Sequence, residues 1–385
     1  MNPKAYPHDI RNVSRRWRWI ADNLRRLWDR VALIHHPLLY TQKETELKKE
    51  MVDRWFASAC GEPSPSRDVG NRRHISFRLR TGCADILTDA EKISVRALNK
   101  YSRHWRHAVF NIHPRLLERF TAARGQLDNL LSLHLTLQDS CGPSLQSTIN
   151  VFELAPKLQS VHCDGVWDSF LDKHIINLPW HQITTISIEE RSTFDFFHTM
   201  KFATSATTAL VRPASLFAEL GSEQPLLNLP KLRSLYYLTQ DDYASGKDDD
   251  YEEEEGGLFG YLELPGLDHL LIEDAWDASS CEAALEMLKR SNAKLSMLHI
   301  IGPGSGEDWG AGCLRLVQGV GGSVKSVVLS SLEAPELEES IIDAVIADRK
   351  NGFPKLRKLL FDEKSPEDIE ESDSWAVRFA RSGGF

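Results

Sequence analysis

The sequence predicts an α/β fold in which parallel strands alternate with helices, and three observations support this. The chain has 385 residues, of which 42% are hydrophobic and 26% charged, a composition typical of a folded globular protein. One apolar pattern recurs along most of the chain. Segments with helical spacing of apolar residues lie between several copies of that pattern.

The recurring pattern is apolar-x-x-apolar-x-apolar, and ten copies of it follow one another. Their first positions are residues 105, 130, 158, 183, 206, 232, 267, 295, 324 and 356, at intervals of 25, 28, 25, 23, 26, 35, 28, 29 and 32 residues. Most intervals lie within or near the roughly 20–29 residues of leucine-rich repeats. The asparagine or cysteine that usually follows the strand in such repeats is missing. The sequence therefore predicts an irregular leucine-rich-repeat solenoid over residues 70–362, followed by a C-terminal tail over 363–385.

The last three positions of each copy predict a strand, because two apolar side chains turn towards the core and the residue between them turns away. Cys281, Ala284 and Leu288 recur at helical spacing before one strand, and Ile341 and Val345 do so before another. A repeated unit of helix and strand can only stack its strands in parallel, with helices on the outer face. The interval of 35 residues contains an acidic insert, predicted as a disordered loop over residues 241–257.

A short α-helical segment is predicted before the repeats, over residues 1–60. Val13, Trp17 and Ile20 lie at helical spacing between arginines, and Leu27 and Trp28 begin a second short apolar element. One interpretation of this segment is a cap that covers the terminal core of the solenoid.

The same segment also resembles a known family. The order Val-x-Arg-Arg-Trp-Arg-x-Ile-Ala followed by Leu-Trp-x-x-Val-x-Leu is similar to the C-terminal half of the F-box in the F-box and leucine-rich-repeat proteins of mushroom-forming fungi. Residues 101–107, 152–158 and 178–184 resemble further phrases of that family, so the resemblance covers about residues 7 to 360. The opening F-box helix, which normally begins Leu-Pro-x-Glu, has no counterpart before Tyr6-Pro7.

The resemblance implies a substrate receptor of an SCF-type ubiquitin ligase. The F-box positions that would contact a Skp-type adaptor protein of the cullin complex are Val13, Trp17, Ile20, Leu27 and Trp28, while the repeats would hold an unidentified protein target. A degenerate leucine-rich-repeat scaffold without adaptor binding remains open as an alternative, as does the capping role.

A target-binding face is predicted from the residues between the last two apolar positions of each copy, which should point onto the exposed surface of the sheet. This column contains His134, His162, Ser187, Leu210, Tyr236, Leu271, His299, Val328 and Leu360. Its mixture of histidine, tyrosine and aliphatic residues is typical of a recognition surface. We therefore expect Tyr236, His269 and His299 to lie in a target-binding patch, unless another segment such as the tail covers the sheet.

The sequence contains no recognisable catalytic constellation, so neither an enzyme nor a cofactor is expected. Residues 302–306 lack the ending of a phosphate-binding loop and are predicted as a turn. Six scattered cysteines without a CxxC pair are typical of an intracellular protein, cytoplasmic or nuclear, and no metal is expected. A zinc site assembled from distant cysteines and histidines is the less favoured alternative. The net charge of -9 argues against a nucleic-acid partner, and no apolar run approaches the ~20 residues that span a membrane.

Overall fold

A computed structural model describes twelve stretches of the chain, and the chain divides into two compact units, Met1–Gln182 and Ile183–Phe385. The described stretches are residues 14–16, 30–34, 42–60, 74–81, 88–137, 148–164, 176–215, 226–238, 257–273, 278–302, 307–330 and 335–362. The predicted C-terminal tail and nearly all of the acidic insert lie outside them. So do the five predicted adaptor-contacting residues, Val13, Trp17, Ile20, Leu27 and Trp28.

The first unit contains five parallel strands that pair in chain order. They are β1 (Arg30–Ile34), β2 (Ile75–Arg80), β3 (Trp105–Ile112), β4 (Ser132–Leu137) and β5 (Ser160–Asp164). Two helices, α1 (Gln42–Cys60) and α2 (Asp89–Lys100), connect the first three strands and pack against each other. 3-10 turns lie at Ser102–His104 before β3, at Pro114–Ala123 between β3 and β4, and at Trp180–Gln182 after β5.

Helix α2 begins at a complete capping box. The Thr88 hydroxyl accepts from the Glu91 amide, and the Glu91 carboxylate accepts from the Thr88 amide at 2.7 Å. Val95 and Leu98 of the helix are buried in the core, so the local start signal and the apolar face agree.

Aromatic side chains form the centre of the first unit's core. Phe77, Trp105 and Phe110 of neighbouring strands contact one another edge to face, with ring centroids 4.7 to 5.9 Å apart. Phe120 from the 3-10 connection packs on both Trp105 and Phe110. The indole N–H of Trp105 donates to the Leu98 carbonyl at 3.2 Å, so this buried polar group is satisfied.

The second unit contains seven parallel strands, again in chain order. They are β6 (Thr185–Ser192), β7 (Thr208–Ser215), β9 (Ser234–Tyr237), β11 (His269–Glu273), β12 (Met297–Ile301), β13 (Ser326–Ser330) and β14 (Lys358–Asp362). Its helices are α3 (Thr193–Phe202), α4 (Ala278–Ser291), α5 (Glu307–Val320) and α6 (Pro335–Ala347). The short strands β8 (Leu227–Asn228) and β10 (Leu262–Glu263) pair separately.

The predicted fold class, an α/β fold of parallel-stacked leucine-rich repeats with helices, is confirmed by this strand order. Each of the ten copies places its last three positions in a strand. In the copy at Leu130, for example, Leu133 and Leu135 are buried as predicted. Helix α4 packs against α5 and α5 against α6 in the second unit. No described helix is both long and apolar enough to cross a membrane.

A ladder of hydrogen bonds joins the residues that precede the strands in the second unit. The N–H of Thr207 donates to the Thr184 carbonyl, and the N–H of Arg233 donates to the Thr207 carbonyl, both at 2.8 Å. The same bond recurs from Asp268, Ser296, Lys325 and Arg357, each to its counterpart in the repeat before. This ladder satisfies the backbone where the chain enters each strand and keeps consecutive repeats in register.

Two details differ from the sequence-based expectation. Strand β1 lies within residues 1–60, which are predicted to be helical, so the sheet begins at Arg30 rather than at residue 70. A run as short as Arg30–Ile34 cannot be distinguished from a helical segment by periodicity. The predicted acidic insert ends at residue 257, but Gly257 begins a 3-10 helix, Gly257–Tyr261, whose Leu258 and Phe259 are buried.

Candidate binding site on the sheet

In each unit, the side of the main strands that is opposite the apolar core is termed here the outward face. In the second unit the strand register aligns the residues of the predicted column in one outward line: Ser187, Leu210, Tyr236, Leu271, His299, Val328 and Leu360. A parallel line two residues earlier holds Thr185, Thr208, Ser234, His269, Met297, Ser326 and Lys358. Because side chains alternate along a strand, both lines lie on the same face.

The three predicted target-binding residues share this outward face, and each is half-buried. Tyr236 and His299 lie in the first line with Leu271 between them, whereas His269 lies in the second line. His269 contacts Asp268, with 3.2 Å between Nε2 and Oδ2, and His299 Nε2 lies 3.0 Å from the Ser330 hydroxyl. Burial raises the pKa of Tyr236, so its hydroxyl stays protonated.

The prediction that the whole column is exposed is wrong at three positions. Ser187 and Leu210 are 1% exposed, and Leu271 is 4% exposed. Leu210 and Leu271 form an apolar cluster with Leu238 and Ile301, against which Tyr236 packs. Side chains on adjacent strands are close enough to bury one another in this way. The line therefore has a buried apolar base, while Tyr236, His299 and Val328 are half-buried and Leu360 is exposed.

A charged cluster that the sequence analysis did not predict lies on the same face, two residues further along the strands than the predicted column. Arg212 Nη1 is 3.4 Å from Glu189 Oε2, and Arg212 Nη2 is 4.0 Å from Glu273 Oε2. Burial raises the pKa of Glu189, whereas Arg212 and the Ser187 hydroxyl favour its charged form. Glu189 and Arg212 are register partners on β6 and β7, so superposing the repeats would have revealed this pair.

In the first unit the outward face is polar. Arg78, Val109, His134 and His162 form one line, and Arg80, Asn111, Thr136 and Asp164 form the next. The rings of His134 and His162 are tilted against each other with centroids 3.8 Å apart. His134 Nε2 lies 3.1 Å from the Thr136 hydroxyl, which donates to Asp164 Oδ2 at 3.2 Å.

His134, His162 and Asp164 each offer one potential metal-ligand atom, and these three atoms all lie within 4.8 Å of one another. Burial, together with the neighbouring His162 and Arg78, lowers the pKa of His134 to about 2, so its imidazole is neutral. Both histidines belong to the column predicted from the sequence, which predicts no metal there. The available signal was the 28-residue interval between consecutive copies, which brings residues 134 and 162 to equivalent positions.

Strand order, register and repeated core positions give this chain an α/β fold of stacked parallel strands with helices, the fold class of leucine-rich repeats. No protein-family model matches the chain, and no curated protein matches it. Among solved structures, the leucine-rich repeat-containing protein LegL7 from Legionella pneumophila is similar over 92% of this chain and 98% of that chain, with 13% sequence identity and a TM-score of 0.40. That TM-score is too low to add to the evidence of the strands themselves.

Proposed function

We propose that this chain is a protein-interaction module that binds a protein target on the outward face of its second unit. The observation that supports the proposal most is the placement of Tyr236, His269 and His299 on one face of a parallel sheet. These three half-buried side chains present a phenol and two imidazoles from regular strands, which hold them in fixed relative positions.

The chemistry of this face suits a protein partner. Tyr236 packs on the apolar cluster of Leu210, Leu238, Leu271 and Ile301, and its packing fixes the ring before a partner arrives. Rigid aromatic side chains with a polar tip are enriched among the residues that dominate binding energies. The nearby Arg212 cluster adds charged groups of both signs beside this apolar base.

The test is a variant carrying Tyr236→Ala, His269→Ala and His299→Ala together. Proteins that the wild-type chain retains are identified first. The affinity of each purified candidate protein for the wild-type chain and for the triple variant is then measured. We expect the variant to bind the true target at least about tenfold more weakly, because truncating such anchors costs on the order of 2 kcal/mol or more. Unchanged affinity in the triple variant would contradict the proposal.

The matched control is Lys289→Ala, which removes an exposed side chain on helix α4 and only a surface ion pair to Glu286. It should leave both target affinity and thermal stability unchanged. Melting curves of the triple variant establish that any loss of binding occurs in a folded chain.

We further propose that the chain is a substrate receptor of an SCF-type ubiquitin ligase. The support is the sequence resemblance of residues 13–33 to the C-terminal half of an F-box, in a chain whose repeats follow it. In this arrangement Val13, Trp17, Ile20, Leu27 and Trp28 contact a Skp-type adaptor, and the outward face holds the target for ubiquitin transfer. The alternative is a scaffold in which the same tryptophans only cap the repeats.

Adaptor binding is tested with purified Skp-type adaptor protein and the full chain. Trp17→Ala and Trp28→Ala should each weaken binding more than about tenfold, since buried tryptophans dominate such interfaces. Trp19→Ala is the matched control, because residue 19 lies outside the apolar stripe of Val13, Trp17 and Ile20. If the wild-type chain shows no adaptor binding at micromolar concentration, the scaffold alternative is correct.

A further inference from the structure

We propose that His134, His162 and Asp164 form a binding site for one divalent transition-metal ion of the zinc class. The proposal concerns the first unit and is independent of the interaction proposed for the second. Among the residues that the structure describes, these three form the group of potential ligands whose donor atoms all lie within 4.8 Å of one another.

The repeat itself assembles the site. His134 of β4 and His162 of β5 are register partners, and so are Thr136 and Asp164. Adjacent parallel strands lie about 4.8 Å apart, so equivalent residues of consecutive repeats point side by side from one face. Asp164 follows His162 by two residues, which returns its carboxylate to the same face.

The donor atoms of the three residues lie close together, all within 4.8 Å of one another. The Thr136 hydroxyl bridges His134 Nε2 and Asp164 Oδ2, at 3.1 and 3.2 Å. A single small group therefore already contacts the imidazole nitrogen and the carboxylate oxygen together. An ion about 2.0–2.2 Å from each donor requires the three atoms to approach to roughly 3–3.5 Å, which small side-chain rotations can supply.

The ligand types select the class of ion. Two imidazoles and one carboxylate suit zinc, cobalt, nickel or ferrous iron, whereas calcium and magnesium prefer oxygen ligands throughout. All three side chains are half-buried, so the face leaves coordination positions open for water or for a group of a partner. Arg78 lies in the same outward line as His134, with Val109 between them, and its positive charge limits the affinity for a cation.

The test uses the purified full chain after removal of metal by a chelator. Cobalt is titrated with detection of its visible absorbance, and zinc is titrated by calorimetry. We expect one ion per chain with a dissociation constant in the micromolar range or tighter. His162→Ala and Asp164→Asn should each weaken binding at least about tenfold, since the first removes a ligand and the second removes the negative charge of the carboxylate ligand.

His299→Ala is the control, because this histidine lies on the outward face of the other unit and should leave metal affinity unchanged. Asp164→Asn preserves the size of the side chain, and melting curves of metal-free variants verify that they fold. The proposal would be overturned if the chain did not bind one ion, or if neither His162→Ala nor Asp164→Asn weakened the binding.

Discussion

His107 on strand β3 shows how one half-buried side chain makes stability depend on pH. Burial, followed by the charges of Arg106 and Arg30, lowers the pKa of His107 from 6.5 to about 4. Its Nδ1 lies 3.0 Å from the Ser132 hydroxyl. Below pH 6.5 the unfolded chain binds a proton that the folded chain does not bind until about pH 4. The contribution of His107 to stability is therefore present above pH 6.5 and is lost as the pH falls towards 4.

We predict that His107→Gln makes the free energy of unfolding less sensitive to pH between 7 and 5. The full pKa shift corresponds to about 2 kcal/mol at pH 5, and partial exposure reduces this to about 1 kcal/mol. Denaturant unfolding of wild type and variant at both pH values measures the difference. Equal losses of stability in the two proteins would contradict the environment described for His107.

At the scale of the elements, consecutive repeats of the second unit approach through their backbones. Gly266 lies in the turn before β11, and a Cβ atom there would meet the Pro230 carbonyl oxygen of the preceding repeat at 2.4 Å. The Leu232 carbonyl oxygen would lie 3.2 Å away. Backbone atoms cannot rotate aside as a flexible side chain can, so glycine is required by space at this position.

We predict that Gly266→Ala destabilises the chain by about 1–3 kcal/mol, the usual cost of overpacking. Gly260→Ala is the matched control, because a Cβ there has nothing within 4 Å. Thermal unfolding of both variants measures the contrast. Equal stability of the two would show that the repeats are not packed through this turn.

In helix α6 the sequence predicts the helix itself but not which of its apolar residues are buried. Its apolar spacing predicts a helix correctly, and Ile341 is fully buried, yet Ile346 is 68% exposed. Helical periodicity fixes which side chains share a face, but burial also needs a neighbouring element over that face. The sequence pattern of α6 does not tell whether a neighbouring element covers a given face of the helix.

At the scale of the molecule, the repeat made most of the fold predictable. One sequence pattern predicts ten strands, their parallel order and their buried positions, because the same pattern recurs in each repeat and the repeats stack in register. Strands β1 and β2 contain no copy of the pattern in the set of ten, and short alternation alone did not distinguish them. The strands that contain the repeat pattern are therefore better predicted than the first two strands of the sheet.

The candidate sites were predictable only in part. The column of outward residues follows from strand alternation, and it placed Tyr236 and His299 on one line as expected. The burial of Leu210 and Leu271 was not predictable from alternation along a strand, since it depends on their contacts with Leu238, Ile301 and Tyr236 of neighbouring repeats. The pairing of His134 with His162 was available from the repeat interval, but it requires residues 28 apart to be compared across copies.

The claim that the outward face of the second unit binds a protein is tested most directly by site-specific photo-crosslinking. A photoreactive amino acid replaces Tyr236 in the full chain, and a second protein carries it at Lys289 on helix α4 as the control. With the purified target, we predict a crosslink from position 236 and none from position 289. A target that crosslinks from position 289 but not from position 236 would contradict the account.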